Sequence, residues 1–490
     1  MPEYLSPGVY VEEIEIGSKP IEGVSTSTAG FLGETERGPT TLRLITSWLQ
    51  FQRVYGGYLS NGKYLPHAVE GFFANGGQRC YIARVVDQEA NAAGEKLTRG
   101  ADNALTVTAV GEGAWGNNVQ VKVATGTLSG FRLTVKYGAT EELFDNLSVN
   151  STSSDYFEKR VNGVSNFVVV SKAAGDSGET PDGPADFTNL AGGDDGTTPL
   201  DLADFTRTDI DTPGQRKGLT AFKEIDEISI VYAPNAATIA GLVSALVTHC
   251  ENLKDRFAII DAEQGQSNIS ALNPRSSYDT KYAAFYYPWL KVYDPLSKSY
   301  KLVPPGGHVA GIYARSDTER GVHKAPANEV VRGAVDLEFA ITKGEQDILN
   351  LRGVNCIRAF PGRGIRVWGA RTLSSDPLWK YVNVRRLFLF LEESIDEGTQ
   401  WVVFEPNDEK LWARVRQSIT EFLTRVWKDG ALMGTTPEEA FFVKCDRTTM
   451  TQDDIDNGRL ICIIGVAPVK PAEFVIFRIA QWQGGSEVNE

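Results

Sequence analysis

A glycine-rich segment at residues 111–116, GEGAWG, has the GxGxxG spacing of dinucleotide-binding loops. In such loops the glycines lead from a strand into a helix, whose N-terminus holds the pyrophosphate. Here strand-like sequence lies on both sides, with ALTVTAV before the glycines and NNVQVKVAT after them. We therefore predict a tight turn between two strands instead of a nucleotide site.

The side chains that could do hydrolytic or metal chemistry are few and scattered. The four histidines, His67, His249, His308 and His323, form no HExxH and no paired Cys/His spacing, so zinc is not indicated. The acidic clusters at residues 194–195 and 453–456 lack the spacing of a calcium-binding loop. No GxSxG occurs, although the chain order of a Ser/His/Asp triad depends on the fold. We predict no catalytic residue, cofactor or metal ion, and keep a hydrolase on the α/β region as one alternative.

Composition excludes several other classes of function. The 490 residues carry a formal net charge of −14, which argues against a nucleic-acid backbone or an anionic membrane as the main partner. The five cysteines have no CxxC spacing and fit reduced core thiols. The longest apolar run, residues 460–469, is too short to span a bilayer. The acidic N-terminus has no signal-peptide pattern, so we expect synthesis in the cytoplasm and no membrane insertion.

Two strand-like segments at the chain ends turn the question from catalysis to assembly. They are SPGVYVEEI at residues 6–14 and PAEFVIFRIAQWQ at residues 471–483, both rich in β-branched and aromatic residues. Chain ends fray unless something holds them. An apolar terminal strand without a hairpin partner can add to a sheet edge, including an edge on another molecule.

The rest of the chain divides, by composition and by the order of predicted elements, into an α/β region, an insertion and a C-terminal region. Residues 26–86 and 212–360 alternate strands and helices, which predicts parallel strand pairs with helical crossovers. Thr238–Leu253, for example, shows helical spacing between two strands. Residues 87–211 hold short β-type runs and polar loops, with 20 acidic and nine basic side chains. We expect an acidic, solvent-facing β insertion.

A long amphipathic helix is predicted at about Glu409–Lys428 in the C-terminal region, residues 361–490. Asn407 or Asp408 caps its start and Gly430 follows its end. Apolar residues form one stripe, and the opposite arc carries Lys410, Arg414, Glu421, Arg425 and Lys428. A solvated helix face is the simplest explanation of this basic arc, and a binding role is the alternative.

Five motifs in order resemble the tail sheath family of contractile bacteriophage tails and bacterial contractile injection systems. They are SPGVYVEEI, GAWGN at 113–117, PPGGHVAGIYARSDTERGVHKAPAN at 304–328, GRGIRVWGARTLS at 362–374, and DIDNGRLICIIGVAPVKPAEFVIFRI at 454–479. The resemblance spans nearly the whole chain and is weakest in the acidic insertion.

The resemblance implies a structural subunit of stacked hexameric rings, which surround an inner tube and contract to drive it through a target envelope. It implies a linking arm at residues 1–25, a central subtilisin-like α/β domain, an outer β insertion and a tube-facing C-terminal domain. The implied partners are further copies, the inner tube, baseplate and terminator proteins, with no nucleic acid. The particle is made in the bacterial cytoplasm and can be released.

The family also implies roles for individual residues. Intersubunit strand exchange would use Val9, Tyr10, Val11, Ile14, Phe474, Val475, Ile476, Phe477 and Ile479. The tube contact would use Lys410, Arg414, Arg425 and Lys428. Besides a hydrolase, a carbohydrate-binding module in the acidic insertion is the remaining alternative.

Overall fold

The computed structural model describes residues 20–478, apart from Asn61 and Thr198. Within this part of the chain, strands and helices alternate through most of the sequence, so the mixed α/β prediction is confirmed. The strands are β1 (Ala29–Gly33), β2 (Arg43–Ile45), β3 (Cys80–Arg84), β4 (Gly94–Arg99), β5 (Asp102–Ala109), β6 (Val119–Thr125), β7 (Phe131–Tyr137), β8 (Thr140–Leu147), β9 (Val168–Ser171), β10 (Thr188–Asn189), β11 (Ile230–Tyr232), β12 (Phe257–Asp261), β13 (Ala283–Tyr287), β14 (Leu290–Asp294), β15 (Ser299–Val303), β16 (Glu329–Val330), β17 (Ala334–Leu337), β18 (Val354–Phe360), β19 (Gly364–Val367), β20 (Phe441–Lys444) and β21 (Ile463–Val466).

The helices include the long helix predicted in the C-terminal region, with the predicted bounds. They are α1 (Trp48–Tyr55), α2 (Leu65–Ala74), α3 (Phe157–Val161), α4 (Leu202–Thr206), α5 (Gly218–Ala221), α6 (Leu242–Leu253), α7 (Gly306–Arg320), α8 (Lys343–Leu351), α9 (Val382–Thr399), α10 (Glu409–Lys428), α11 (Pro437–Ala440) and α12 (Gln452–Asp456). Helix α6 starts later than the expected Thr238. Gly241, directly before the helix, adopts a left-handed conformation with φ 86°. Ile239 therefore lies in a turn, although its spacing from the next apolar residues is helical.

A nine-stranded sheet forms the centre of the molecule, in the order β16-β19-β18-β13-β12-β11-β1-β3-β2. The six strands from β18 to β3 run parallel, and the strands at both edges are antiparallel. Every residue of β1, β12 and β13 is buried, as expected for parallel strands covered on both faces. Strand β19 belongs to this sheet, although the sequence pattern assigned residues from 361 onward to the C-terminal region.

The acidic insertion folds around a hydrophobic cluster of its own. Two small antiparallel sheets, β4-β5-β9 and β10-β6-β7-β8, pack against each other through Val121, Leu133 and Val168. The alternation of buried and half-buried residues along β6 is typical of a sheet with one face covered. The short β-type runs predicted in this insertion are confirmed; they correspond to β5, β6, β7 and β9.

In the C-terminal region, α9 and α10 pack against the two-stranded antiparallel sheet of β20 and β21. Its cluster includes Leu387, Ile419, Phe422 and Phe441, together with Ile21 from the N-terminal side. Helix α9 is tied to α7 by an ion pair in which Arg386 Nη2 lies 2.6 Å from Asp317 Oδ2, and both side chains are at most 5% exposed. Removing either partner would leave a buried charge, so this pair fixes α9 against the central layer.

Helices α2 and α7 cross at a distance that requires glycine. A Cβ atom added at Gly307 would lie 2.5 Å from both Cα and the carbonyl oxygen of Ala68, which are backbone atoms that cannot rotate away. We predict that Gly307→Ala lowers the free energy of unfolding by about 1–3 kcal/mol, measured by urea denaturation. Gly344→Ala in α8 is the matched control, because no atom lies within 4 Å of its added Cβ. That variant should be neutral or gain up to about 1 kcal/mol. Equal effects would contradict this interpretation of the crossing.

Candidate functional site

The C-terminal tail, residues 471–478, has no helix and no strand partner in the described chain, and its residues 471–476 line a groove together with Asn350, Arg358 and Tyr381. Four consecutive apolar side chains lie on it in solvent. Phe474, Val475, Ile476 and Phe477 are 69%, 68%, 80% and 83% exposed. Such a run is a candidate binding surface, because burying each side chain would contribute about 1.5–3 kcal/mol.

A single carboxylate fixes the root of this tail. Glu473 accepts two hydrogen bonds from Arg371, one from Nε at 2.7 Å and one from Nη2 at 2.8 Å. Asn350 Nδ2 donates at 3.0 Å and the Tyr381 hydroxyl at 2.9 Å. Lys380 Nζ lies 3.3 Å away. We call these five residues the Glu473 clamp; it joins the tail to α8 and to the chain entering α9.

The clamp also changes the acidity of Glu473. Burial alone would raise its pKa, but the hydrogen bonds donated to the carboxylate outweigh burial and lower the pKa to about 2. The carboxylate is therefore ionised throughout the physiological range. Its side chain is 19% exposed, which makes the clamp stronger than an ordinary surface ion pair.

In the described chain, β20 and β21 form a two-stranded antiparallel sheet in the C-terminal region. Phe441 and Val443 pack into the hydrophobic cluster, whereas Phe442 and Ile463 lie on the opposite face, 56% and 48% exposed. A two-stranded sheet is marginal by itself and becomes stable with further strands. The outer edges of this sheet have no strand partner in the described chain, and Phe442 and Ile463 give the sheet an exposed apolar face.

The structure describes only some of the residues expected to take part in strand exchange. Val9, Tyr10, Val11 and Ile14 of the arm and Ile479 of the tail are outside the described residues. The four expected tail residues that are described lie together in one exposed run.

Helix α10 presents the expected basic arc on the face opposite its buried stripe. Asp408 caps the helix by accepting a hydrogen bond from the Leu411 amide at 2.9 Å. Lys410, Arg425 and Lys428 are exposed on the outer face.

Two of the four arc residues also contact the protein itself. The half-buried Arg414 places its guanidinium 4.6 Å from the centre of the Trp401 ring. Arg425 donates a hydrogen bond to the carbonyl oxygen of Ile21. Lys410 and Lys428 therefore contribute charge to the surface, whereas Arg414 and Arg425 also hold neighbouring segments in place.

The GEGAWG segment is a structural turn. Strand β5 ends at Ala109, a short 3₁₀ helix covers Ala114–Asn118, and β6 begins directly afterwards, as predicted. The turn packs against the loop at residues 192–196, GGDDG. There the Asn117 side chain makes two hydrogen bonds of 2.8 Å with the Gly193 backbone, one as donor and one as acceptor. Asp195 accepts from the Ala114 amide at 2.9 Å. These hydrogen bonds hold the GEGAWG turn and the GGDDG loop together.

One arrangement contains serine, aspartate and histidine, but in the wrong order for hydrolysis. Ser297 donates to Asp294 Oδ2 at 2.7 Å, and His67 Nε2 lies 3.3 Å from Asp294 Oδ1. In a catalytic triad the histidine stands between serine and carboxylate. Burial lowers the pKa of His67 to about 4, and here Asp294 separates it from the serine. This arrangement cannot activate Ser297 as a nucleophile.

Among residues 20–478, no group of three or more histidine, cysteine, aspartate or glutamate side chains could hold a metal ion. A helix with the length and apolarity needed to cross a membrane is likewise absent from the described chain.

Two family models match adjacent segments of the chain. The phage tail sheath protein central domain matches residues 208–373, and the phage tail sheath C-terminal domain matches residues 374–481. Together they cover more than half of the sequence. The chain belongs to the phage tail sheath family.

Individual sheath proteins align with it at low identity. The tail sheath protein of Burkholderia phage BcepMu is 24% identical over 451 residues, which cover 87% of each chain. That of Vibrio phage KVP40 is 28% identical over 220 residues, and the match spans 44% of this chain but only 31% of that protein. The sheath of the extracellular contractile injection system PVC, solved in its contracted state, superposes with a TM-score of 0.61. At 24% identity it covers 99% of both chains and shares the fold.

Sequence reasoning found the tail of this sheath protein but missed the clamp. Arg371 lies in the connection before α9, whereas Asn350 lies on α8. A glutamate preceding an apolar run, in PAEFVIF, was the available signal. Nothing in the spacing indicated that residues 350, 371 and 381 converge on it.

We predict that Glu473→Gln lowers the free energy of unfolding by about 1–3 kcal/mol at pH 7, because Arg371 loses its charged partner. A carboxylate with a depressed pKa contributes stability above its unfolded pKa, near 4.5, and loses it as the pH falls towards about 2. The difference between wild type and variant should therefore shrink over that range, as measured by urea denaturation.

Glu409→Gln is the matched control, because its ion pair with Arg447 is 65–70% exposed. We expect it to change the free energy of unfolding by less than about 1 kcal/mol. A wild-type advantage over Glu473→Gln that stays constant from pH 5 to pH 2 would contradict the role of the ionised clamp.

Proposed function

We propose that this chain is a non-enzymatic subunit that polymerises as stacked hexameric rings around an inner tube. The sleeve contracts to drive the tube through a target envelope. The observation that carries this proposal is the tail, four exposed apolar side chains held at their root by Glu473. Membership of the sheath family gives such a segment a partner, namely another copy of the chain.

Strand exchange is the proposed mode of linkage. The tail residues Phe474–Phe477, continuing to Ile479, would add to a sheet edge on a neighbouring copy. The arm, through Val9, Tyr10, Val11 and Ile14, would do the same. The two-stranded β20–β21 sheet is the proposed acceptor, because its outer edges have no strand partner among the described residues and Phe442 and Ile463 can cover incoming apolar side chains. Main-chain hydrogen bonds give such a contact strength with little demand on sequence.

The proposed division of labour follows the layers of the fold. Residues 1–25 are the arm, residues 26–86 and 212–360 the central subtilisin-like domain, and residues 361–490 the tube-facing domain. Residues 87–211 are the outer β domain, whose acidic surface keeps sleeves soluble by mutual repulsion. Baseplate and terminator proteins are the proposed partners at the two ends. The particle is a phage tail or an injection system assembled in the bacterial cytoplasm.

The basic arc on α10 is the proposed tube contact. Lys410 and Lys428 lie about 27 Å apart along the helix at 1.5 Å per residue, so the arc runs along most of its length. A tube with an acidic outer surface would complement the arc. The proposal retains Arg414 and Arg425 as contact residues that also hold Trp401 and Ile21.

Deleting residues 1–16 should abolish polymerisation and leave a folded monomer. The segment precedes Ile21, the first residue buried in the C-terminal cluster, so the described core stays complete. Electron microscopy of the purified protein should show long, striated tubes for the full chain and none for the deletion, with unchanged circular dichroism. Normal tubes from the deletion would refute the arm assignment.

Reversing the charge of the two exposed lysines, Lys410→Glu with Lys428→Glu, should weaken co-sedimentation with assembled tube. The loss should be larger at 50 mM than at 500 mM salt, because salt screens exposed charges. The matched control is Lys159→Glu with Lys172→Glu, which makes the same charge change on exposed residues of the insertion. Equal behaviour of the two double variants would mean that the arc faces elsewhere.

A further inference from the structure

A turn between α9 and α10 places a phenylalanine where the backbone favours glycine. The Glu405 amide donates to the Val402 carbonyl oxygen at 3.2 Å, which closes a four-residue turn. Val403 has φ −66° and ψ 129°, and Phe404 has φ 68°. These are the angles of a type II turn, whose third position requires positive φ and is normally Gly or Asn. For a bulky residue this conformation is strained.

The strain is not compensated by packing. Phe404 is 104% exposed, more than any other large hydrophobic residue in the described chain, and Val403 beside it is 59% exposed. A ring fully in water contributes no burial energy to the fold, and its Cβ costs stability at this φ. A residue that destabilises the free subunit in both ways is a candidate for a contact made outside the subunit.

The position of the turn connects it to the basic arc. Trp401, directly before the turn, lies under the Arg414 guanidinium at 4.6 Å. Lys410 follows on the first turn of α10 and is exposed. Exposed carboxylates also lie in this segment, with Glu405 on the turn and Asp408 and Glu409 directly before Lys410. The Val403–Phe404 pair, which we call the apolar tip, is therefore continuous with the end of the arc that carries Lys410 and Arg414.

We propose that the apolar tip inserts into a hydrophobic pocket on the surface that the basic arc faces. This inference rests on the proposed function, in which that surface belongs to the inner tube subunit. The pocket would be about the size of a benzyl group, beside carboxylates that pair with Lys410 and Arg414. Charges steer and orient the encounter, whereas a buried aromatic side chain supplies a concentrated share of the affinity.

Three substitutions separate the ring from the strain. Phe404→Ala removes the ring and keeps a Cβ at positive φ, whereas Phe404→Gly removes both. Leu128→Ala, in the turn between β6 and β7, is the control, because Leu128 is 89% exposed but lies in the insertion. Binding is measured by co-sedimentation of each purified subunit with assembled tube protein from the same particle. Stability is measured by thermal unfolding.

We expect both Phe404 variants to bind the tube at least about tenfold more weakly, and Leu128→Ala to bind as wild type does. Phe404→Gly should unfold at a higher temperature than Phe404→Ala, because only glycine relieves the strained φ. Each subunit, expressed without tube, should still polymerise.

Wild-type tube affinity in both Phe404 variants would overturn the proposal. So would loss of polymerisation in tube-free preparations, since the tip would then contact a second sheath copy. Failure of the wild-type chain itself to polymerise or to bind tube would refute the proposed function instead. The two failures are therefore distinguishable.

Discussion

The carboxylate of Glu473 is the constraint on which the assembly account depends. Its hydrogen bonds to Arg371, Asn350 and Tyr381 fix where the tail leaves the subunit, while the next four side chains lie in solvent. Burying those side chains would contribute several kcal/mol in sum. In the monomer the tail is held at Glu473, and these apolar side chains stay exposed to water, which is unfavourable. The proposed pairing of the tail with a second copy would bury these side chains.

The remainder of the fold keeps this anchor rigid. Arg371 lies beside the nine-stranded sheet, and its backbone amide donates to Asn355 on β18. The buried Arg386–Asp317 pair holds α9 against α7. A sleeve that changes its lattice needs subunits that move as solid bodies and links that bend. The central layer supplies the first property, and the terminal segments are proposed to supply the second.

Local signals in the sequence were sufficient for the elements and insufficient for the contacts between them. Helix α10 was predicted with its cap because the apolar stripe repeats at helical spacing and Asp408 stands at its start. The GEGAWG turn was predicted because strands flank it. The Glu473 clamp joins residues more than 90 positions apart, and the strain at Phe404 depends on a turn type that the residues themselves oppose. Gly241 delayed α6 by a backbone angle that the pattern of apolar residues does not encode.

The most direct test is the structure of the assembled polymer at a resolution that shows the main chain. The account predicts that residues 474–477 of each copy form backbone hydrogen bonds with a strand of a neighbouring copy, while Glu473 remains bound to its own Arg371. Tails folded back onto their own subunit, without main-chain pairing between copies, would contradict it.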